Sequence, residues 1–145
     1  MSEGVRYSIR EGIESVDFEK VHRMLAQTYW SPGISRERVE RAASGSSLVV
    51  SMHDSEGLVG YLRVVSDRTT FAWVCDVIVD EAHRGNGIAT AMTRYAIEHP
   101  EHQGLRRWIL ATRDAHGIYR KCGFAEITNP ERWMAYFPPG SIGPV

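Results

Sequence analysis

Cysteine is scarce: Cys75 and Cys122 are the only two among 145 residues. Two thiols make no disulfide framework, and neither sits in a Cys/His spacing suited to a metal. No metal site is expected, and both thiols read as free packing residues of a cytoplasmic protein. Charge of one sign is also missing. Lysine and arginine number 17 against 18 acidic residues, a formal net charge of −1. That leaves no basic footprint for nucleic acid and no polybasic patch for a membrane surface. No apolar stretch approaches the ~20 residues of a membrane span. The opening "MSEGVRYSIREG" has no apolar segment behind its charges, so it does not read as a secretory leader. Repeats, low-complexity tracts and linkers are absent too.

What is present is an ordinary core-forming composition, 43% hydrophobic, which fits one domain over 1–145. Only the tail "PPGSIGPV" (138–145) has little to bury, and it is expected to be loosely ordered. Strand patterns fall at Tyr7–Arg10, Ser47–His53, Leu58–Ser66 and Thr70–Asp80. Helical spacing runs from Asp17 to Thr28, with Asp17 as N-cap, and from Arg36 to Ser44, with Ser35 as N-cap. A third helix is expected from Gly87 to His99, then a strand at Arg107–Thr112. A short helix follows from Asp114, its presumed N-cap, to Cys122, and two last strands are "FAEI" and "WMAYF". Three meander strands followed by a strand–helix–strand crossover imply an α/β mixed sheet, mostly antiparallel and flanked by helices.

The run "FAWVCDVIV" is apolar on both faces except for Asp76 and stops at "DEAHRGNGIAT". Glycines at a strand-to-helix turn expose the unpaired first N–H groups of the helix at the positive end of its dipole. The bland reading is a tight turn. A Walker loop requires Lys-Ser/Thr after its last glycine, whereas Ile88-Ala89 stands here. A dinucleotide fingerprint requires a third glycine where Thr90 stands.

"VIVDEAHRGNGIATAM" resembles the acetyl-CoA-binding segment of the GCN5-related N-acetyltransferases, the GNAT family. Their Arg/Gln-x-x-Gly-x-Gly/Ala signature corresponds to Arg84, Gly87 and Ala89 within Arg84-Gly85-Asn86-Gly87-Ile88-Ala89. "DAHGIYRKCGF" resembles the family's second motif, a short helix ending in Tyr-x-x-x-Gly-Phe, here Tyr119 to Phe124. The resemblance implies the acyl-CoA N-acyltransferase fold with acetyl-CoA as cofactor and CoA as product. It also implies a bulge where the backbone of Val77, Ile78 and Val79 pairs with the pantetheine arm. By the same resemblance the N–H groups from Arg84 to Ala89 are expected to hold the pyrophosphate, and an amide near Val77 to polarise the thioester carbonyl. A preorganised donor of that kind lowers a barrier by roughly 2.7–4 kcal/mol. Many members carry Asn near the start of the last helix. Asp114 stands at that place and, ionised, accepts hydrogen bonds without donating.

Tyr119 is the general acid implied by the match, a phenol that carries its proton at neutral pH. His116, one turn earlier, is the alternative proton acceptor. Asp76 has three readings: binding an acceptor ammonium, relaying its proton, or sitting buried against an arginine or loop amides. By the geometry that the family resemblance implies, Tyr29, Trp30, Tyr61, Arg63 and Phe71 are expected around the acceptor, with Tyr61 and Phe71 equally suited to the core. His53 and His83 read as exposed, and His22, His99 and His102 as surface residues. The leading expectation is an N-acetyltransferase acting on a primary amine of a small molecule by direct transfer in a ternary complex. Acetylation of a protein or peptide amine and a non-catalytic acyl-CoA sensor are the alternatives. Edge strands near the C-terminus also permit a homodimer.

Overall fold

The computed structural model of the protein describes residues 4–144. Four strands, β1 (Ser8–Glu11), β2 (Leu48–Asp54), β3 (Gly57–Ser66) and β4 (Phe71–Val79), form an antiparallel meander. A fifth, β5 (Arg107–Ile109), joins β4 in parallel, giving the order β1-β2-β3-β4-β5. The turns have side-chain causes. Asp54 Oδ1 accepts from the Glu56 and Gly57 amides, and Asp67 Oδ1 accepts from those of Thr69 and Thr70.

Helices α1 (Phe18–Leu25) and α2 (Arg36–Ser44) cover one face of the sheet. Both are capped as expected: Asp17 accepts from Lys20 N and Ser35 from Arg38 N. Val21, Leu25, Val39 and Ala43 meet Val49, Leu58, Tyr61 and Ile78 there. Helix α3 (Ile88–Glu98) covers the other face, laying Ile88, Met92 and Ala96 on Val50, Leu62, Val64 and Val74. Gly60 permits this approach, because a Cβ at that position stands 2.9 Å from Ile88 Cγ2. Helix α4 (His116–Arg120) is short and rests against α3, where Arg94 donates to the Lys121 carbonyl.

The C-terminal third departs from the sequence pattern. β5 ends at Ile109 instead of Thr112, and neither "FAEI" nor "WMAYF" pairs as a strand. Residues 108–112 and 124–127 both line a cleft of about 340 Å³, and no backbone hydrogen bond joins them among the described residues. Beyond Trp133, which lies under the Arg107 guanidinium, Met134 and Tyr136 are almost fully exposed. The tail carries a turn in which Ser141 N donates to the Pro138 carbonyl; Val145 lies outside the described residues. Helix α4 is also capped differently. Asp114 is not its cap: Ala115 is, and the Ala115 amide donates to Thr112 Oγ1. Among the described residues no helix is long and apolar enough to cross a membrane.

Candidate active site

The sheet opens along one side of β4. Pairing with β5 ends at Trp73 and Ile109, leaving the second half of β4 without a strand partner on that side. On the other side the register with β3 slips: Arg63 faces Cys75, but Tyr61 faces Ile78. One residue is therefore inserted opposite Leu62, a β-bulge. Asp76 occupies it with φ 53°, a left-handed conformation costly for most L-residues and best tolerated by Gly, Asn and Asp.

The bulge decides which amides face the opening. Asp80 N donates to the Val59 carbonyl on β3. By period-two alternation, the N–H and C=O of Val79 and Val77 point away from β3, into the opening. The side chains of Val77 and Val79 pack with the α3-side core, and Ile78 lies in the α1/α2-side core. The stretch expected to receive an extended ligand is thus an unpaired strand edge.

Asp76 is not a free carboxylate. Its Oδ2 accepts from Arg63 Nε at 2.7 Å and its Oδ1 from Trp30 Nε1 at 2.9 Å. Its side chain is only 11% exposed. Of the three readings from sequence, the structure realises the buried, arginine-paired one. Arg63 Nη1 also reaches Ser46 Oγ at 3.4 Å. Tyr61, on the same face, is fully buried, and its hydroxyl has no hydrogen-bond partner among the described residues. Burial, reinforced by the Asp76 charge, drives its pKa far above the usual phenol range. The structure gives Tyr61 the core role. Phe71 stands at the far end of β4, paired with Arg107. Five residues separate it from Asp76, about 17 Å of strand, so it lies apart from this cluster.

Beyond β4, Arg84, Gly85, Asn86 and Gly87 are exposed. Gly87 is the N-cap of α3 with φ 73°, and no side chain caps that end. A Cβ on Gly85 or Gly87 meets nothing within 4 Å, so space lies open over the turn. The first-turn amides of Ile88 and Ala89 have no intrahelical acceptors. Asn86 Nδ2 binds the His83 carbonyl, which braces the loop.

Tyr119 sits on α4, 9% exposed. The following residues form a Schellman cap: Phe124 N donates to the Tyr119 carbonyl and Gly123 N to that of Arg120, with Gly123 at φ 97°. Tyr119 and Phe124 meet edge-on at 6.1 Å, the apolar contact that accompanies such a cap. The Tyr-x-x-x-Gly-Phe motif is thus a helix stop that fixes the tyrosine. Burial first, then the neighbouring Tyr29 and Cys122, pushes its pKa up to about 12. His116 opens α4 and is exposed, as is Asp114, 3.7 Å from Arg113.

Tyr29 and Trp30 arrive together from the loop after α1, packed edge-on at 5.0 Å. Trp30 binds Asp76, and the Tyr29 hydroxyl accepts from Arg113 N at 2.9 Å. The loop therefore links the β4 bulge to the segment between β5 and α4. Arg113, which the sequence reading did not single out, stacks its guanidinium 3.9 Å from the Tyr29 ring. No local pattern announces this contact; the partners are 84 residues apart. Histidines also sit differently than expected. His53 and His102 are buried, and His83 is half-buried between Tyr7 and Asp54.

This opened sheet edge, followed by a glycine turn at a helix start, agrees with the comparisons. A family model described as the acetyltransferase (GNAT) family matches residues 13–124. The chain belongs to the GNAT family of acetyltransferases. A crystal structure from Xanthomonas campestris pv. campestris, of a protein belonging to the GNAT family, is 37% identical with a TM-score of 0.86. That match covers 93% of this chain and 95% of the other. A GNAT family acetyltransferase from Streptococcus pneumoniae is 26% identical, with a TM-score of 0.70 and coverage of 91% and 96%. Among curated proteins, glucosamine 6-phosphate N-acetyltransferase 1 of Oryza sativa subsp. japonica is 40% identical over 52 residues. That spans 35% of this chain and 32% of the relative, so only about a third of the relative's length is matched.

GNAT enzymes generally take their acyl group from acetyl-CoA. The residues of this GNAT chain fit such a donor on two counts. The turn over Gly85 and Gly87 has room for a diphosphate against unpaired amides. The edge at Val77 and Val79 offers N–H and C=O groups to a ligand with amides of its own.

Proposed function

We propose that this protein moves an acetyl group from acetyl-CoA to a primary amine of a small molecule, by direct transfer in a ternary complex. The opening between β4 and β5, which leaves Val77 and Val79 unpaired, carries this reading. Bound acetyl-CoA supplies the acetyl group as an activated thioester. The pyrophosphate falls to the amides from Arg84 to Ala89, with the Arg84 guanidinium as counter-charge. The backbone N–H and C=O groups of Val77 and Val79 hold the pantetheine amides as a substitute strand, with Ile78 between them turned toward β3, and the Val77 N–H is the carbonyl donor. Asp114 is retained as a pantetheine-side contact by position alone.

The amine attacks as the neutral base, and the bond to sulfur breaks as the amide forms. The nitrogen loses one proton and the departing thiolate gains one, so none is consumed overall. A phenol near 12 keeps its proton against a thiolate of ordinary pKa about 8.5. Tyr119 therefore acts as a hydrogen-bond donor to the sulfur more than as a complete acid. His116, exposed at the start of α4, suits the role of proton acceptor through water.

Asp76 is already neutralised by Arg63, so acceptor contacts fall to Tyr29, Trp30 and Arg113. An aromatic wall carrying one guanidinium suits an amine that bears an anionic substituent. The rice relative is named for such a substrate, a phosphorylated amino sugar. Cys75 and Cys122 are free thiols, in keeping with a cytoplasmic protein. The exposed Met134, Tyr136 and Phe137 suit burial against a second copy, which light scattering tests.

The deciding assay follows release of CoA thiol with a panel of amines, amino acids, amino sugars and peptides. Acceptor-dependent release with small amines is expected. Release with peptides alone redirects the reading to protein amines. Tight acetyl-CoA binding without release under any acceptor leaves a sensor. Binding itself is read by melting: saturation at about 100 times Kd stabilises the fold by about 2.7 kcal/mol, and no shift removes acetyl-CoA from the scheme.

A further inference from the structure

Asp76 makes its bonds from an unusual backbone. It sits in the left-handed region at φ 53°, at the single residue that the bulge inserts. Such a conformation persists in a strand only when its surroundings over-determine it. Here three elements hold it. β3 supplies Arg63 at 2.7 Å, the loop after α1 supplies Trp30 at 2.9 Å, and Ser46, just beyond α2, steadies the guanidinium.

The insertion has a consequence one step along the chain. Ahead of the bulge, Ala72 and Val74 face the α3-side core; beyond it, Val77 and Val79 do. Without the extra residue, strict alternation continues to residues 76 and 78. The Asp76 carboxylate then turns into that apolar core, and the Val77 N–H turns toward β3. The left-handed residue is what sends the Val77 amide into the opening.

We propose that Asp76 is a positioning residue: clamped by Arg63 and Trp30, it locks the left-handed bulge that presents the Val77 amide to the thioester. This rests on the acetyltransferase reading above and changes the work assigned to Asp76. The carboxylate is an internal strut and not the acceptor's counter-ion. Trp30 thereby connects the acceptor-side loop to the geometry of the donor site.

The test compares two double variants, Arg63→Met with Asp76→Gly and Arg63→Met with Asp76→Ala. Both remove the ion pair together, so neither leaves a buried charge, and they differ by one methyl group. In a regular strand alanine is the better residue. In a left-handed bulge the order reverses. The glycine variant is expected to show the higher urea midpoint and about tenfold tighter acetyl-CoA binding than the alanine variant. Acetyl-CoA binding in the alanine variant as tight as in the unaltered protein overturns the proposal. So does unchanged acetyl-CoA affinity in both with acceptor KM raised equally, which returns Asp76 to acceptor recognition.

Should neither double variant fold, Trp30→Phe decides. It keeps the ring packing but removes the N–H. Faster amide exchange at Ile78, which faces Tyr61 on β3 beside the bulge, and about fivefold weaker acetyl-CoA binding are expected; unchanged exchange overturns the lock. If the unaltered protein does not bind acetyl-CoA, the functional reading fails, whereas amide exchange in Trp30→Phe still tests the lock.

Discussion

At the scale of single residues, the chemistry depends on Tyr119 and on what surrounds it. Its ring is buried and pinned by the Gly123 cap, and its pKa is raised to about 12. Tyr119→Phe removes one hydroxyl and leaves the ring contact with Phe124 intact. The expected result is kcat lower by about 10²-fold, the usual size of a lost proton-handling group, with acetyl-CoA Kd unchanged. Steady-state kinetics with binding calorimetry check this; an unaltered kcat removes Tyr119 from the reaction. Because the phenol holds its proton well past neutrality, the kcat profile should show no loss assignable to this group between about pH 6 and 9. A fall in that range traced to Tyr119 contradicts the raised value. Motif spacing marked this tyrosine in the sequence, but the burial that raises its pKa, and then the nearby Tyr29, are features of the folded chain.

At the scale of elements, α3 matters at both its start and its seat on the sheet. Gly87 caps the helix at φ 73° with open space where a Cβ projects. Gly87→Ala meets no neighbour but must adopt the left-handed region, a cost of about 1–2 kcal/mol. A lower melting temperature and weaker acetyl-CoA binding are expected; an unchanged affinity separates the turn from the diphosphate. Gly60→Ala is a different failure. Its Cβ comes within 2.9 Å of the branched Ile88 side chain, overpacking worth about 1–3 kcal/mol. A urea titration should show the loss, and no loss means that α3 shifts freely. The apolar pattern made β2, β3, β4 and α3 legible within a residue or so. Apolar runs after Ile109 misled, because "FAEI" and "WMAYF" are apolar yet join no strand of the sheet.

For the molecule as a whole, the buried histidines contribute to acid sensitivity just below neutrality. Burial lowers the pKa of both His53 and His102 below the ordinary 6.5. The charges of Arg10 on His53, and of His99 and Arg68 on His102, push the same way. As pH falls through about 6.5 the unfolded chain takes up protons that the folded chain refuses, so these groups favour unfolding. Their contribution to stability is fully present above about 6.5 and is lost as pH falls toward the depressed folded values. The urea midpoint is expected to be lower at about pH 5.5 than at about pH 7.5, and His102→Gln should shrink that difference. An equal drop in the variant assigns the acid sensitivity elsewhere.

The sequence determined the mixed sheet, the crossover and the two motifs, because periodicity, glycine spacing and capping residues are local and survive without a partner in view. Tertiary structure decided what the carboxylate in the apolar strand does. Asp76 is fixed by Trp30, 46 residues earlier, and by Arg63 on the neighbouring strand. Its left-handed backbone is held by those contacts. A residue's conformation and its electrostatic partner are set by what packs against it, and neither is carried in the pattern of its own strand.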